Sequence, residues 1–160
     1  MCLKGFCVMK RSETAVNLFL KGANCSQAVF ASFGDITGFD EKTSFRLASS
    51  FGGGISRLRE TCGACLGMCL AAGAIFGYDD INDRKAKTDH YATIQSLVKK
   101  FAEINGSYTC REILGAEGKS TTPVPGERTS EYYSKRVCCV DCIRTATEIL
   151  DEYLKQNGII

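Results

Sequence analysis

Cys62-Gly63-Ala64-Cys65-Leu66-Gly67 opens a run without a charged side chain that continues to Tyr78, and the reading of this run decides the fold. A glycine cluster, Phe51-Gly52-Gly53-Gly54, and a charged segment, Arg57-Leu58-Arg59-Glu60-Thr61, lead into it. Cys62, Cys65 and Cys69 recur at offsets of three and seven, which at about 100° per residue return to one side of a helix. The spacing predicts a central helix from about Thr61 to Phe76. The run is just short of a membrane-spanning length and is interrupted by glycines, so a buried helix is expected rather than a membrane span. Cys65 and Cys69 read as core residues, because cysteine is among the most buried residue types. Cys62 falls at the helix start, where unpaired N–H groups and the positive dipole end favour a thiolate, the form that binds metals and attacks disulfides. Cys62 is therefore the candidate redox-active thiol.

Working outward, the chain reads as helices separated by short polar or glycine-rich turns. Arg11 to Leu20 forms a first helix, and Asn24 caps a second that Gly34 stops. Asp40 caps a third, with Phe45, Leu47, Ala48 and Phe51 inward. Asp83 to Ile104 carries Tyr91, Ile94, Leu97, Val98, Phe101 and Ile104 at offsets of three and four, and Asn105-Gly106 ends it. Ser107 or Thr109 caps a short helix, Cys110 to Leu114, closed by Gly115. Ala116 to Thr129 holds both prolines of the chain and is the expected flexible loop or lid. A last helix, Ser130 to Gln156, presents Val137, Cys139 or Val140, Ile143, Ala146, Ile149, Leu150 and Tyr153 on one face. No segment alternates with period two. The expected fold class is all-α: a compact single-domain helical bundle of about six helices, cysteine-rich, occupying 1–160.

Composition narrows the function classes. A length of 160 residues fits one domain with a real core. Lysine plus arginine number 20 against 18 acidic residues, a near balance that argues against nucleic acid or an anionic membrane as partner. Charges interrupt the apolar residues between Met1 and Arg11, so no secretory signal is read there and a cytoplasmic protein is expected. In that setting ten cysteines point to metal binding or redox work rather than to disulfide staples. Gly52-Gly53-Gly54 lacks the Lys-Ser/Thr ending of a phosphate loop and reads as a tight approach to the central helix. The sole histidine, His90, reads as a surface helix residue rather than a ligand.

The cysteines follow a further pattern. Cys25 follows Asn24, Cys62 follows Thr61 and Cys110 follows Thr109, so each falls in the first turn of a predicted helix. A fourth candidate comes from Cys138, Cys139 and Cys142 in the last helix. Three helix starts aimed at one place would make an electropositive pocket lined by sulfur, whose amides could tune bound sulfur atoms.

At this point the chain resembles a family: the redox-active proteins named for their C_GCAxxG_C_C cysteine pattern, with a CGAxxG motif. Cys62-Gly63-Ala64-Cys65-Leu66-Gly67 is similar to that motif, and Asn24-Cys25-Ser26-Gln27-Ala28-Val29 to the first cysteine segment. Phe51 to Arg57 resembles the glycine-rich approach, and Cys110-Arg111-Glu112-Ile113-Leu114-Gly115 the third cysteine. The last helix, with Cys139, Ile143 and Ala146, is similar to the closing segment. The likeness runs from about Leu18 to Leu154. It implies four characteristic cysteines at Cys25, Cys62, Cys110 and Cys139, with Cys142 or Cys138 as substitutes for the last. The related domain of split-Soret cytochromes implies a four-cysteine site for a two-iron cluster beside c-type haems. The haem part is missing here, since Cys-x-x-Cys-His does not occur and His90 follows Asp89. Cys2, Cys7, Cys65, Cys69, Cys138 and Cys142 go beyond the family's four.

Three functions follow as expectations. The first is a protein that binds an iron–sulfur cluster, [2Fe–2S], through Cys25, Cys62, Cys110 and Cys139 and works in electron transfer or redox sensing, rather than as a classical enzyme. The second is a thiol–disulfide redox protein without metal, using the Cys-x-x-Cys spacings Cys62–Cys65 and Cys139–Cys142, although the first lacks a βαβ context. The third is a structural zinc domain, for which the candidate ligands stand far apart. A redox partner protein is implied, and the glycine-rich apolar helix leaves room for a homodimer contact.

Overall fold

The computed structural model describes residues 9–160, and two of the extra cysteines, Cys2 and Cys7, lie outside the described residues. The fold is all-α. Among the described residues the only β pairing is an isolated antiparallel bridge between Thr61 and Thr109. In chain order the helices are α1 (Arg11–Leu20), α2 (Cys25–Ala31), α3 (Glu41–Ala48), α4 (Gly63–Phe76), α5 (Arg84–Asn105), α6 (Cys110–Leu114), α7 (Ser130–Ser134) and α8 (Val137–Gln156). A single helical turn, Gly34–Thr37, joins α2 to α3. No described helix is long and apolar enough to cross a membrane.

Local chemistry sets most boundaries. Asn24 and Gln27 form a reciprocal capping box, with Gln27 N–H donating to Asn24 Oδ1 at 2.9 Å and Asn24 N–H to Gln27 Oε1 at 3.0 Å. Asp40 caps α3 through Thr43 N–H at 2.7 Å, and Asp83 caps α5 through Ala86 N–H at 2.9 Å. Gly106 closes α5 in the left-handed conformation.

Some expectations change. Gly34 does not stop α2 but begins the next helical turn. The stop comes earlier, where Ser32 Oγ donates back to Val29 O at 2.7 Å and competes with the backbone ladder. The predicted last helix is two helices, broken at Lys135-Arg136, where Arg136 leaves helical backbone angles. Leu47, Tyr91, Ile104 and Val137 are exposed rather than inward. On α5 only Leu97 and Phe101 are fully inside, because this helix packs on the bundle along a narrow stripe.

The charge-free helix α4 is the centre, with α2 and α8 as its main neighbours. Phe19, Phe30, Phe33, Met68, Phe101, Ile143, Leu150 and Leu154 form the fully buried core around it. The α2–α4 contact is a backbone contact. A Cβ added at Gly67 would lie 2.8 Å from Ser26 O and 3.0 Å from Val29 Cβ. One added at Gly63 would lie 2.8 Å from Phe51 O and 3.2 Å from Cys25 Cβ. The Gly-x-x-x-Gly spacing is thus a packing device that lets α2 lie against α4 and carries Cys25 to Cys62.

Two glycine substitutions in α4 separate this role from helix propensity. Gly67→Ala must push α2 away, an overpacking cost of about 1–3 kcal/mol, which lowers the melting temperature by roughly 2–4 °C per kcal/mol. Gly73→Ala meets nothing within 4 Å and is expected to stabilise by about 0.5–1 kcal/mol. Thermal melts followed by circular dichroism check the opposite signs.

Candidate functional site

A cavity of about 440 Å³ opens at one end of the bundle, where α2, α4, α6 and α8 meet. Cys25, Cys62, Cys110, Cys139 and Cys142 all line it. Cys25 is the first residue of α2 and Cys110 the first of α6, while Cys62 immediately precedes α4. The structure thus gathers on one cavity the four cysteines singled out in the sequence, together with Cys142, one of the two substitutes. Cys138 faces a different pocket, beside Ile104, Asn105 and Asp141. Cys65 is fully buried in the core, and Cys69 is half-buried beside it. His90 is half-buried rather than on the surface, edge-on to Phe76 and Tyr78 and away from the cavity.

The segment between the glycine cluster and α4 forms the opposite wall. Gly53, Gly54, Ile55, Ser56, Arg57 and Arg59 all have positive φ, a left-handed turn that is costly for the four residues carrying a side chain. Gly54 could be nothing else, since a Cβ there would stand 2.6 Å from Cys110 Cβ. The turn is clamped from outside. Cys110 N–H donates to Glu60 O at 2.6 Å, Cys62 N–H to Tyr108 O at 2.8 Å, and Arg111 Nε to Arg59 O at 3.0 Å. Arg111 also pairs with Glu60. These contacts offset the strain and fix Cys62 and Cys110 side by side.

Residues 119–129 cross the cavity as a strap, where the sequence suggested a loop or lid. Pro123, Pro125 and Gly126 face inward. Arg57 Nε donates to Thr122 O at 2.7 Å and Arg59 Nε to Ser120 O at 3.0 Å, so the left-handed turn holds the strap down. At its far end Arg128 donates to Ala23 O at 3.2 Å and stacks on Phe19 and Tyr132. The arginines Arg57, Arg59, Arg128 and Arg136 were not among the residues singled out in the sequence. Arg57 and Arg59 stood in the charged segment before Cys62, but nothing in their spacing showed that the backbone would turn left-handed and aim them at sulfur.

The thiols interact as a chain of three, Cys25–Cys139–Cys138, and as the pairs Cys62–Cys142 and Cys65–Cys69. Cys139 hydrogen-bonds to Cys25 and holds it below the ordinary thiol value, against burial, with help from the Arg128 charge and the Gly53 N–H. Its own value is pushed up by its hydrogen bonds to Cys138 and Cys25 and by burial. A hydrogen bond with Cys62, then burial, pushes Cys142 up. Burial pushes Cys110 up to about 11, against the pull of the neighbouring Arg59 guanidinium. Outside the cavity, Cys65 and Cys69 pair with each other, and Cys138 is drawn down to about 6, chiefly by its hydrogen bond with Cys139. The Cys-x-x-Cys spacings therefore do not define the pairs: Cys62 meets Cys142, not Cys65. Among the described residues no group of three or more cysteine, histidine or acidic side chains is close enough to hold a metal ion.

The chain matches, over residues 23–153, the family described as "Putative redox-active protein (C_GCAxxG_C_C)". No curated protein and no solved structure matches it.

These surroundings predict separate pH profiles for alkylation by neutral iodoacetamide, read residue by residue by mass spectrometry. Modification of Cys138 should be half-maximal near pH 6, because its thiolate persists down to about that value. Modification of Cys110 should still be rising at pH 9, because its thiolate forms only towards about 11.

Proposed function

The chain belongs to the C_GCAxxG_C_C family of redox-active proteins, and on that premise we propose that the thiol cavity is its redox centre. Cys25, Cys62, Cys110 and Cys139 are the ligands of a [2Fe–2S] cluster, with Cys142 able to replace Cys139. One observation carries this reading: sulfurs from four separate segments line one cavity. Soft thiolates are the donor set that such clusters take. A single structural ion needs three or four protein donors, and the described residues offer no such group, so zinc is not proposed. A two-iron centre asks for only two cysteines at each iron: Cys25 with Cys139 would hold one, and Cys62 with Cys110, set beside it by the backbone clamp, the other. When bound, the cluster supplies one-electron transfer.

The surrounding residues fit that task. The Gly53 N–H points at Cys25 sulfur, a contact of the kind that raises the potential of a thiolate-bound centre. Arg57, Arg59, Arg128 and Arg136 line the same cavity and offset the negative charge of several thiolates. Pro123, Pro125 and Gly126 of the strap add an apolar wall to the cavity. The protein acts as an electron carrier or redox sensor facing a partner protein, not as a classical enzyme.

A second reading rests on the hydrogen-bonded thiol pairs. Without metal, Cys25 with Cys139, or Cys62 with Cys142, closes to a disulfide, releasing two electrons and two protons to a disulfide acceptor that becomes two thiols. This dithiol crosses between helices instead of following the Cys-x-x-Cys spacing.

Anaerobic purification followed by visible absorption and iron and sulfide assays tests the proposal. Bands with about two irons and two sulfides per chain are expected for the cluster; a colourless, reversibly oxidised dithiol supports the second reading. Cys62→Ser should abolish the bands and leave the far-ultraviolet circular dichroism intact, whereas Cys69→Ala should keep them. Equal loss in both variants would overturn the division between cavity and core sulfurs.

A further inference from the structure

The cavity carries an excess of positive charge that its own packing leaves unmatched. Four arginines line it, and no aspartate, glutamate or lysine among the described residues does. Arg57, Arg59 and Arg128 hydrogen-bond to neutral backbone carbonyls: Thr122 O, Ser120 O, and the end of α1 with the turn after it. Only Arg136 meets a carboxylate, Glu117 at 3.4 Å, and Glu117 lies outside the cavity.

Arg59 stands out among the four. It is 4% exposed, yet its Nη2 is fully buried with no hydrogen-bond partner among the described residues. A buried guanidinium nitrogen without an acceptor is costly, and a planar guanidinium binds oxygen pairs of carboxylate, phosphate or sulfate bidentately. Nε of the same group is held on the strap by Ser120 O, which fixes its plane. The volume of about 440 Å³ is that of a small-molecule site.

We infer that the cavity is also a binding site for a small oxygen-bearing anion, held by Arg59 with Arg57 beside it and set against the cavity thiols. The unpartnered nitrogen belongs to the protein itself; a bound cluster would draw on the same arginine charge, so the inference is made for the metal-free cavity. It assigns the redox chemistry a small anionic reactant or effector, admitted under the strap, in addition to any protein partner.

Paired alkylation of the reduced, metal-free, full-length protein tests it. Initial rates with anionic iodoacetate and neutral iodoacetamide are measured at each cysteine by mass spectrometry, and their ratio at one thiol cancels that thiol's own nucleophilicity. The iodoacetate-to-iodoacetamide ratio at Cys25 and Cys139 should exceed that at Cys69 and Cys138, outside the cavity, by about tenfold or more. Sulfate, inorganic phosphate or malonate, at ionic strength matched with chloride, should slow iodoacetate at the cavity thiols. Sulfate and phosphate acting best identify a tetrahedral oxyanion, malonate a carboxylate. Folded Arg59→Gln should bring the cavity ratio down to that of Cys138; if that variant does not fold, the wild-type ratio and competition decide. Equal ratios inside and outside, no competition beyond chloride, an unchanged ratio in folded Arg59→Gln, or cavity thiols inert to both reagents would each overturn the inference. A protein that is colourless as purified anaerobically, and whose metal-free form shows the selectivity, would refute the cluster and leave the anion site standing.

Discussion

Two backbones in direct contact govern this structure. α2 rests on α4 because residues 63 and 67 have no side chain, and a single methyl group at either would collide with a carbonyl oxygen of the facing segment. The same logic recurs at two of the sulfurs: Cys25 Cβ lies over Gly63, and Cys110 Cβ lies over Gly54, so that these two side chains occupy space a glycine leaves empty. The motif that opens α4 is therefore as much a packing instruction as a chemical one.

On that scaffold, burial and charge act against each other. Removing thiols from water disfavours thiolates, and Cys110 is pushed up accordingly, whereas Cys142 is raised first by its hydrogen bond with Cys62 and then by burial. At Cys25 the hydrogen bond with Cys139, the Arg128 charge and the Gly53 amide work in the opposite direction and prevail. The arginines are present because a left-handed turn of unfavourable backbone geometry points two of them inward. That turn survives through the clamp to residues 108–111, so the electrostatics of the cavity depend on hydrogen bonds made on its outer side.

Much of this was legible in the sequence where one local rule governs. Asn24, Asp40 and Asp83 cap helices as side-chain oxygens three residues before a free N–H should, and the charge-free run is the central helix. The convergence of Cys25, Cys62 and Cys110 followed from their shared position at helix starts. What stayed hidden depends on direction rather than spacing. Cys65 was read as a core residue and is one, but Cys62, placed on the same helical stripe, leaves it because it precedes the helix and its side chain departs at a different angle. Cys138 and Cys139 are adjacent, and only one reaches the cavity. The inward direction of Arg57 and Arg59 was hidden because positive φ at non-glycine residues has no sequence signature.

The sulfur wall draws on both ends of the chain, from Cys25 at the start of α2 to Cys142 on the second turn of α8. It exists only after the final helix has docked, since Cys139 and Cys142 arrive with that helix. Until then a growing polypeptide carries Cys25 and Cys62 with their native partners, Cys139 and Cys142, still absent. Correct sulfur chemistry is thus a late product of synthesis, and the completed bundle itself selects which thiols meet.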